Sequence, residues 1–322
     1  MELRQLRYFV SVAEELHFRK AAAKLHIVQP ALSKQITALE NELGIALLDR
    51  DRRHVALTEA GEAFLHEAVE IIAHTTGAMQ RAKAVGRGET GRLNIGFIHP
   101  ALADLLPRTL RRFRERYPEV KVTLSEATSR VAIEKVASRS MQFAFTRLPT
   151  VERADLCAEP VCEEPVLLVI PSEHRLASAP AVTLSDLVEE DLIFVDRQVE
   201  PELHDYYVAT CVNAGFSPHL VHEVNSTSVA IGLVAGGLGI TFAPASARLA
   251  AQRNVVYRDL TGPAPTLTIG TLYHSGLKPP ILGNFLSMRP WEPQPGDRAA
   301  TYGGRTPVAA VAPAGTRAQP SR

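Results

Sequence analysis

The stretch that most constrains the fold of this chain runs from His17 to Gly44, HFRKAAAKLHIVQPALSKQITALENELG. Its spacing predicts two short helices broken by a tight turn. Phe18 to Leu25 makes the first, with Ala21, Ala22 and Leu25 on one face. His26, Ile27 and Val28 turn the chain, and Pro30 opens the second helix, where its missing N–H costs nothing. Leu32, Ile36, Leu39 and Leu43 recur at the spacing of an amphipathic stripe. Gly44 stops the helix, because glycine accepts left-handed backbone. Charge separates this segment from an ordinary helical hairpin. Between Glu15 and Glu40 there is no acidic residue, while Arg19, Lys20, Lys24 and Lys34 are present. Gln29, Pro30, Ser33 and Lys34 stand at the start of the second helix, the end with which a recognition helix meets base edges and phosphates. Gln pairs bidentately with adenine, and Lys contacts guanine or phosphate. The plainer alternative is a small bundle with a solvated basic face. Helix lengths, turn, stripe and charge together favour DNA.

A chain of 322 residues has the length for about two or three domains with sizeable cores. Lys plus Arg and Asp plus Glu both number 35, so the formal net charge is zero. A DNA-binding protein of zero net charge must segregate its charge, as the opening segment does. Cys157 and Cys162 lack the close-spaced Cys or His companions that a zinc site needs. With Cys211 they read as core thiols in a reducing cytoplasm. No metal or other cofactor is expected. The N-terminus has no continuous apolar core or cleavage signal, and no run elsewhere is long enough to span a bilayer. The expectation is a soluble cytoplasmic protein with no membrane partner.

Leu3 to Leu16 should be a helix whose inner face, Leu6, Phe9, Val10, Ala13 and Leu16, completes a three-helix core. Ile45 to Leu57 then reads as a two-stranded wing. Arg50, Arg52 and Arg53 lie at its tip, spaced by Asp49 and Asp51 and suited to phosphate or the minor groove. Thr58 is a natural N-cap for a long helix. Along it Leu65, Ala68, Ile72, Thr75, Met79 and Ala82 keep the alternating spacing of a coiled-coil seam, which points to dimerisation. Gly86 to Gly91 reads as a flexible, polar junction.

From Arg92 strands and helices alternate. Leu93–Ile98, Lys121–Glu126 and Met141–Thr146 are strands. Helices around Leu106 and from Ser129 separate them, giving a mostly parallel, doubly wound sheet. Val166–Ile170 and Leu192–Val195 begin what looks like a second sheet, followed by elements at Leu203–Ala214, Leu220–Val224, Ser228–Ala235 and Ile240–Ala243. Thr266–Tyr273 and Pro280–Met288 return to the first lobe. Two linked α/β lobes make a cleft of the kind that binds small molecules. From Pro290 onward the composition is that of a disordered tail.

The chain resembles the LysR-type transcriptional regulators over roughly residues 1 to 290. The marks are LRYFVSVAEELHFRKAAAKLHIVQPALSKQITALENELG, LLDRDRR, LTEAG and GRLNIGF. The resemblance implies a multi-domain chain. Residues 1–58 would be an all-α winged helix-turn-helix and 59–88 a dimerising linker helix. Residues 89–290 would form a two-lobed α/β effector domain like the periplasmic binding proteins, and 291–322 the tail. It also implies tetramers, dimers of dimers, that bend promoter DNA and change the bend when a small organic acid binds, with RNA polymerase as a further partner. Within the family, MELRQLRYFV, LNIGF, LLPRTLRRFRERYP, FAFTR, IGLVAGGLGITFAPAS and KPPILGNF are most similar to regulators of aromatic catabolism that sense muconate, benzoate or phenylpropionate-type acids. By matching position, the effector carboxylate would meet His99, Pro100, Ser129 and Arg147. Pro201, Glu202 and Phe242 would line the opposite wall. Relatives that bind muconate commonly place a hydroxyl where this chain has Pro100; nearby His99 can substitute as a donor.

The residues support that transfer on their own. Thr128 and Ser129 end a strand and open a helix, so backbone N–H groups face the crevice, as an anion requires. Arg147 ends the apolar run MQFAF, where a guanidinium can grip a carboxylate. The competing roles are a helix cap for Ser129 and a structural salt bridge, with Glu126 or Glu152, for Arg147. Gly236, Gly237 and Gly239 lack the Lys-Ser/Thr of a phosphate loop and read as a tight turn. No nucleophile–base pair, metal set or dinucleotide fingerprint appears, so an enzyme is not expected. An architectural DNA-bending protein without an effector is the alternative, and it leaves the second region without a purpose.

Overall fold

The computed structural model describes all residues except 51–53, 150–152, 251, 277, 293–305 and 308–322; for Arg50, Thr306 and Pro307 it describes the backbone alone. The chain divides into two compact units, Met1–Gly86 and Arg87–Arg322.

In the first unit, helices α1 (Leu3–Glu15), α2 (Phe18–Lys24) and α3 (Gln29–Leu43) precede strands β1 (Leu48–Arg50) and β2 (Val55–Leu57) and the long helix α4 (Glu59–Gly86). Leu6, Phe9, Val12, Ala21, Ala22, Leu32, Ile36 and Leu39 meet in one core, the inner faces that the helical spacing selects. The wing is an antiparallel pair with Leu48 opposite Leu57 and Arg50 opposite Val55. Buried Glu40 of α3 fixes its approach, one carboxylate oxygen accepting the N–H groups of Leu47 and Leu48, each at 3.1 Å. Thr58 fixes its exit. Its hydroxyl donates to the Ala46 carbonyl at 2.8 Å and accepts the Gly61 N–H at 2.9 Å, so one side chain caps α4 and ties it to the wing.

The seam expected along α4 is divided in its use. Leu65, Ala68 and Ile72 pack against the core of their own unit. Met79 is exposed, as are Val69, Ile71 and Val85 beside the expected seam.

The second unit opens with β3 (Gly91–Phe97), a 3-10 turn at His99–Ala103, α5 (Leu105–Arg116), β4 (Val120–Glu126), α6 (Ser129–Ala137) and β5 (Phe143–Leu148). β3 runs parallel to both β4 and β5, the doubly wound arrangement expected. Next come β6 (Leu156–Pro171), β7 (Asp191–Val195), α7 (Pro201–Asn213), β8 (His219–Val224), α8 (Thr227–Ala235), β9 (Thr241–Pro244), β10 (Val255–Asp259), β11 (Thr266–His274), α9 (Pro280–Met288) and the two-residue β12 (Thr306–Pro307).

β6 departs from expectation. It begins at Leu156, not Val166, and belongs to both lobes: it pairs with β11 from Leu156 to Pro165, then with β10 from Leu167 to Pro171 and with β9. One sheet therefore runs β10-β6-β11-β5-β3-β4 across the two lobes. β7 and β8 pair in parallel, and the Ile193 N–H donates to the Ile240 carbonyl at 2.9 Å beside β9. The first lobe closes on Phe113, Phe143, Phe145 and Phe285, the second on Phe194, Tyr207 and Phe242.

Two boundary expectations need correction. Trp291, assigned by composition to the tail, is only 3% exposed and stacks on Phe143 with ring centroids 5.2 Å apart. Arg108 donates to the Trp291 carbonyl at 3.2 Å, and Arg112 to the Pro290 carbonyl at 3.0 Å, so the lobe includes this segment. The junction before β3 is also held. Gly88 is buried at φ +66°, where a β-carbon would lie 2.5 Å from the Ile281 nitrogen. The Asn284 amide donates to the Arg87 carbonyl at 2.7 Å. Only glycine fits there. Among the described residues no helix is long and apolar enough to cross a membrane.

Candidate functional site

Two regions gather the residues singled out by sequence. The first is the exposed end of α2 and α3. His17 caps α2, its Nδ1 accepting the Arg19 N–H at 3.2 Å and the Lys20 N–H at 3.4 Å. Arg19, Gln29, Pro30 and Lys34 are exposed, and Ser33 is half-buried. Lys24 plays a different part. Its ammonium bonds Glu14 at 3.0 Å and Glu15 at 3.2 Å, and the Glu14 bond leads in raising its pKa. Arg19, Lys20 and Lys34 are the other exposed Lys and Arg side chains of this stretch. The side chain of Arg50, and Arg52 and Arg53 entirely, lie outside the described residues.

The second region is the cleft between the lobes of the second unit. α6 starts at Ser129, with the Thr128 hydroxyl accepting the Val131 N–H at 3.4 Å. Ser129 is buried, and its own hydroxyl accepts the Arg147 N–H at 3.3 Å, which joins α6 to the end of β5. Arg147 there pairs with a residue that sequence reasoning missed. Its Nη1 lies 2.5 Å from Glu200 Oε2, with the side chains 11% and 21% exposed. Of the expected partners, Glu126 sits 3.2 Å from His99 Nδ1 instead, and Glu152 lies outside the described residues.

The ion pair stands between two cavities and lines both. One, of about 450 Å³, sets His99, Pro100, Glu126 and Thr128 of the first lobe against Asn225 to Ser228 at the start of α8, with Ile98, Ile231 and Pro244 adding apolar surface. The other, of about 390 Å³, is more apolar, with Ile133, Leu148, Pro149, Leu203 and Tyr206 beside Ser129 and Glu202. The sequence-selected residues thus divide, with His99 and Pro100 on one side, Ser129 and Glu202 on the other, and Arg147 on both. Two do not reach either cavity. Pro201 opens α7. Phe242 is 1% exposed and packs between Phe194 and Tyr207, ring centroids 5.8 and 5.3 Å away. β9 lies inside the second lobe's sheet, so this ring enters the core and does not line the wall.

The two regions fall in two known sequence families. Residues 3–62 match the bacterial regulatory helix-turn-helix protein, lysR family, and residues 86–288 match the LysR substrate binding domain. The HTH-type transcriptional regulator AlsR of Bacillus subtilis is 38% identical over 260 residues, covering 81% of this chain and 86% of that protein. The Hca operon transcriptional activator HcaR of Escherichia coli is 34% identical over 288 residues, covering 89% and 97%. The crystal structure of full-length CbnR complexed with its target DNA is similar at a TM-score of 0.78 and 27% identity, covering 91% of this chain and 100% of that one. A helix-turn-helix unit followed by a larger effector-binding unit is the arrangement those matches describe. The chain belongs to the LysR family of transcriptional regulators, which bind DNA and carry an effector-binding domain.

Proposed function

We propose that this regulator reads promoter DNA with Gln29, Pro30, Ser33 and Lys34 of α3, supported by Arg19 and the wing arginines, and that a small organic acid controls it. The acid's carboxylate takes the place of Glu200 on Arg147. The observation that carries this reading is the part-buried Arg147–Glu200 pair at the meeting of two cavities. A guanidinium there offers a carboxylate a charge-assisted, bidentate partner. Glu200 already occupies the anion position, so an incoming acid exchanges one ion pair for another and gains little from charge alone. Its affinity comes from what else it touches.

The cavity beside Ile133, Leu203 and Tyr206 suits an aromatic ring, and in the other His99 and the hydroxyls at the start of α8 suit a second polar group. Aromatic or dicarboxylic acids meet both conditions. The exposed apolar residues Met79 and Val85 on the later half of α4 suit pairing with a second copy. Dimers, their assembly into tetramers on DNA, contact with RNA polymerase and action in the cytoplasm are part of the same proposal.

A thermal-shift panel of aromatic carboxylates and muconates tests it. Arg147→Ala should abolish the shift that the best acid gives to the native chain while leaving DNA binding without acid unchanged. Glu200→Gln, which removes the internal competitor, should tighten acid binding about tenfold, the ratio equivalent to 1.4 kcal/mol. A shift retained in Arg147→Ala would place the anchor elsewhere.

A further inference from the structure

The N-terminus of α3 carries a residue that neither helix stability nor the core explains. Val28 is the N-cap, with φ −81° and ψ 139°, and no side-chain hydrogen bond closes the first turn. Side chains cap α2 (His17), α6 (Thr128) and α8 (Ser226), while α5, α7 and α9 share with α3 the lack of such a cap, though none of those three has Val at the N-cap. Ser, Thr, Asp or Asn at position 28 would stabilise α3, and Val is among the poorest residues for that place. Burial does not compensate. The backbone is extended here, so neighbouring side chains point to opposite sides. Ile27 takes the inner side and packs against the core, which leaves Val28 69% exposed. A branched apolar side chain thus stands in the open beside Gln29 and Pro30, themselves exposed.

Facing the major groove, such a side chain has one chemical counterpart, the C5-methyl group of thymine, which apolar contacts recognise. We propose that Val28 is a specificity-determining residue whose two methyl groups meet a thymine methyl in the base pair next to the one that Gln29 reads. This rests on the reading that the start of α3 faces the base edges. Gln29 supplies hydrogen bonds and Val28 an apolar contact, so together they read two neighbouring pairs by different chemistry. The lost cap is the cost of that contact.

The test uses the full chain and a half-site obtained by in vitro selection from randomised duplex DNA. Each thymine of the half-site is then replaced singly by deoxyuridine, which removes only the methyl group. One replacement should weaken binding of the native chain about fourfold, the value of one buried methyl group, and should leave Val28→Ser unaffected. Selection with Val28→Ser should lose thymine at that position and keep the preference at the neighbouring pair. Val28→Ser should also melt no lower than the native chain, since serine caps the helix. The proposal falls if every deoxyuridine site binds the native chain as well as thymine does. It falls equally if the penalty persists in Val28→Ser, or if that variant melts several degrees lower. Gln29→Ala separates the two levels. If it changes preference while Val28→Ser does not, only this proposal fails. If neither changes preference, the reading of α3 fails with it.

Discussion

Gly61 stands so close to the wing that a β-carbon there would lie 2.0 Å from the Leu47 carbonyl oxygen and 3.1 Å from Leu57. The Leu47 carbonyl cannot move aside, because it accepts the Thr58 N–H at 3.1 Å while Glu40 holds the Leu47 nitrogen. Gly61→Ala should therefore destabilise the first unit by about 1–3 kcal/mol, the cost of forcing a methyl group into a packed site. Urea unfolding followed by circular dichroism measures it; an unchanged midpoint would show that the wing yields. At this scale the sequence was informative about residues that end elements. Arg147 and Ser129 could be placed because strand ends and helix starts in a doubly wound sheet converge on one crevice. Glu200 could not, because the partner of Arg147 lies 53 residues away on the other lobe and nothing in the local pattern marks it. Phe242 failed for a related reason. A strand shows which residues alternate, but which face meets the core depends on strands that it has yet to pair with.

Among the elements, those with a strong local period were legible and those with a mixed composition were not. α3 announces itself by its stripe, Pro30 and Gly44, and residues of α3 and of α2 predict distinct losses. Gln29→Ala should flatten base preference, while Arg19→Ala should weaken binding to specific and random duplexes alike and lower the salt slope by about one. Fluorescence anisotropy over a salt series separates the two, and equal losses on both duplexes for both variants would refute the division. The first half of β6 has the opposite character. Glu159, Pro160, Glu163, Glu164 and Pro165 carry no strand signal, since prolines and acids disfavour a central strand. The structure accommodates them with an irregular register, where β11 shifts between Ile269 and Gly270 against Cys162 and Pro160. The seam of α4 was visible as a period, but a period does not say whether the partner is a second chain or the helix's own unit. Leu65, Ala68 and Ile72 turn out to serve the latter.

On the scale of the whole molecule, composition separated the two units and misplaced their edges. Gly88 looked like slack and is packed. Trp291 looked like tail and is core. In both cases the deciding partner, Ile281 or Phe143, is remote in sequence. The shared strand has a consequence for how the second unit comes apart. Two lobes joined by a pair of loose crossings could melt one after the other. Here residues 156–165 of β6 pair with a first-lobe strand, and residues 166–171 complete the second lobe's sheet. Losing either lobe strips one half of a single continuous strand. The cores of both lobes should thus form one cooperative unit. Native-state hydrogen exchange in rising denaturant should show the slowest amides of β3 and of β7 opening with the same free energy and the same denaturant slope. Two separate values would mean that each lobe is a melting unit of its own.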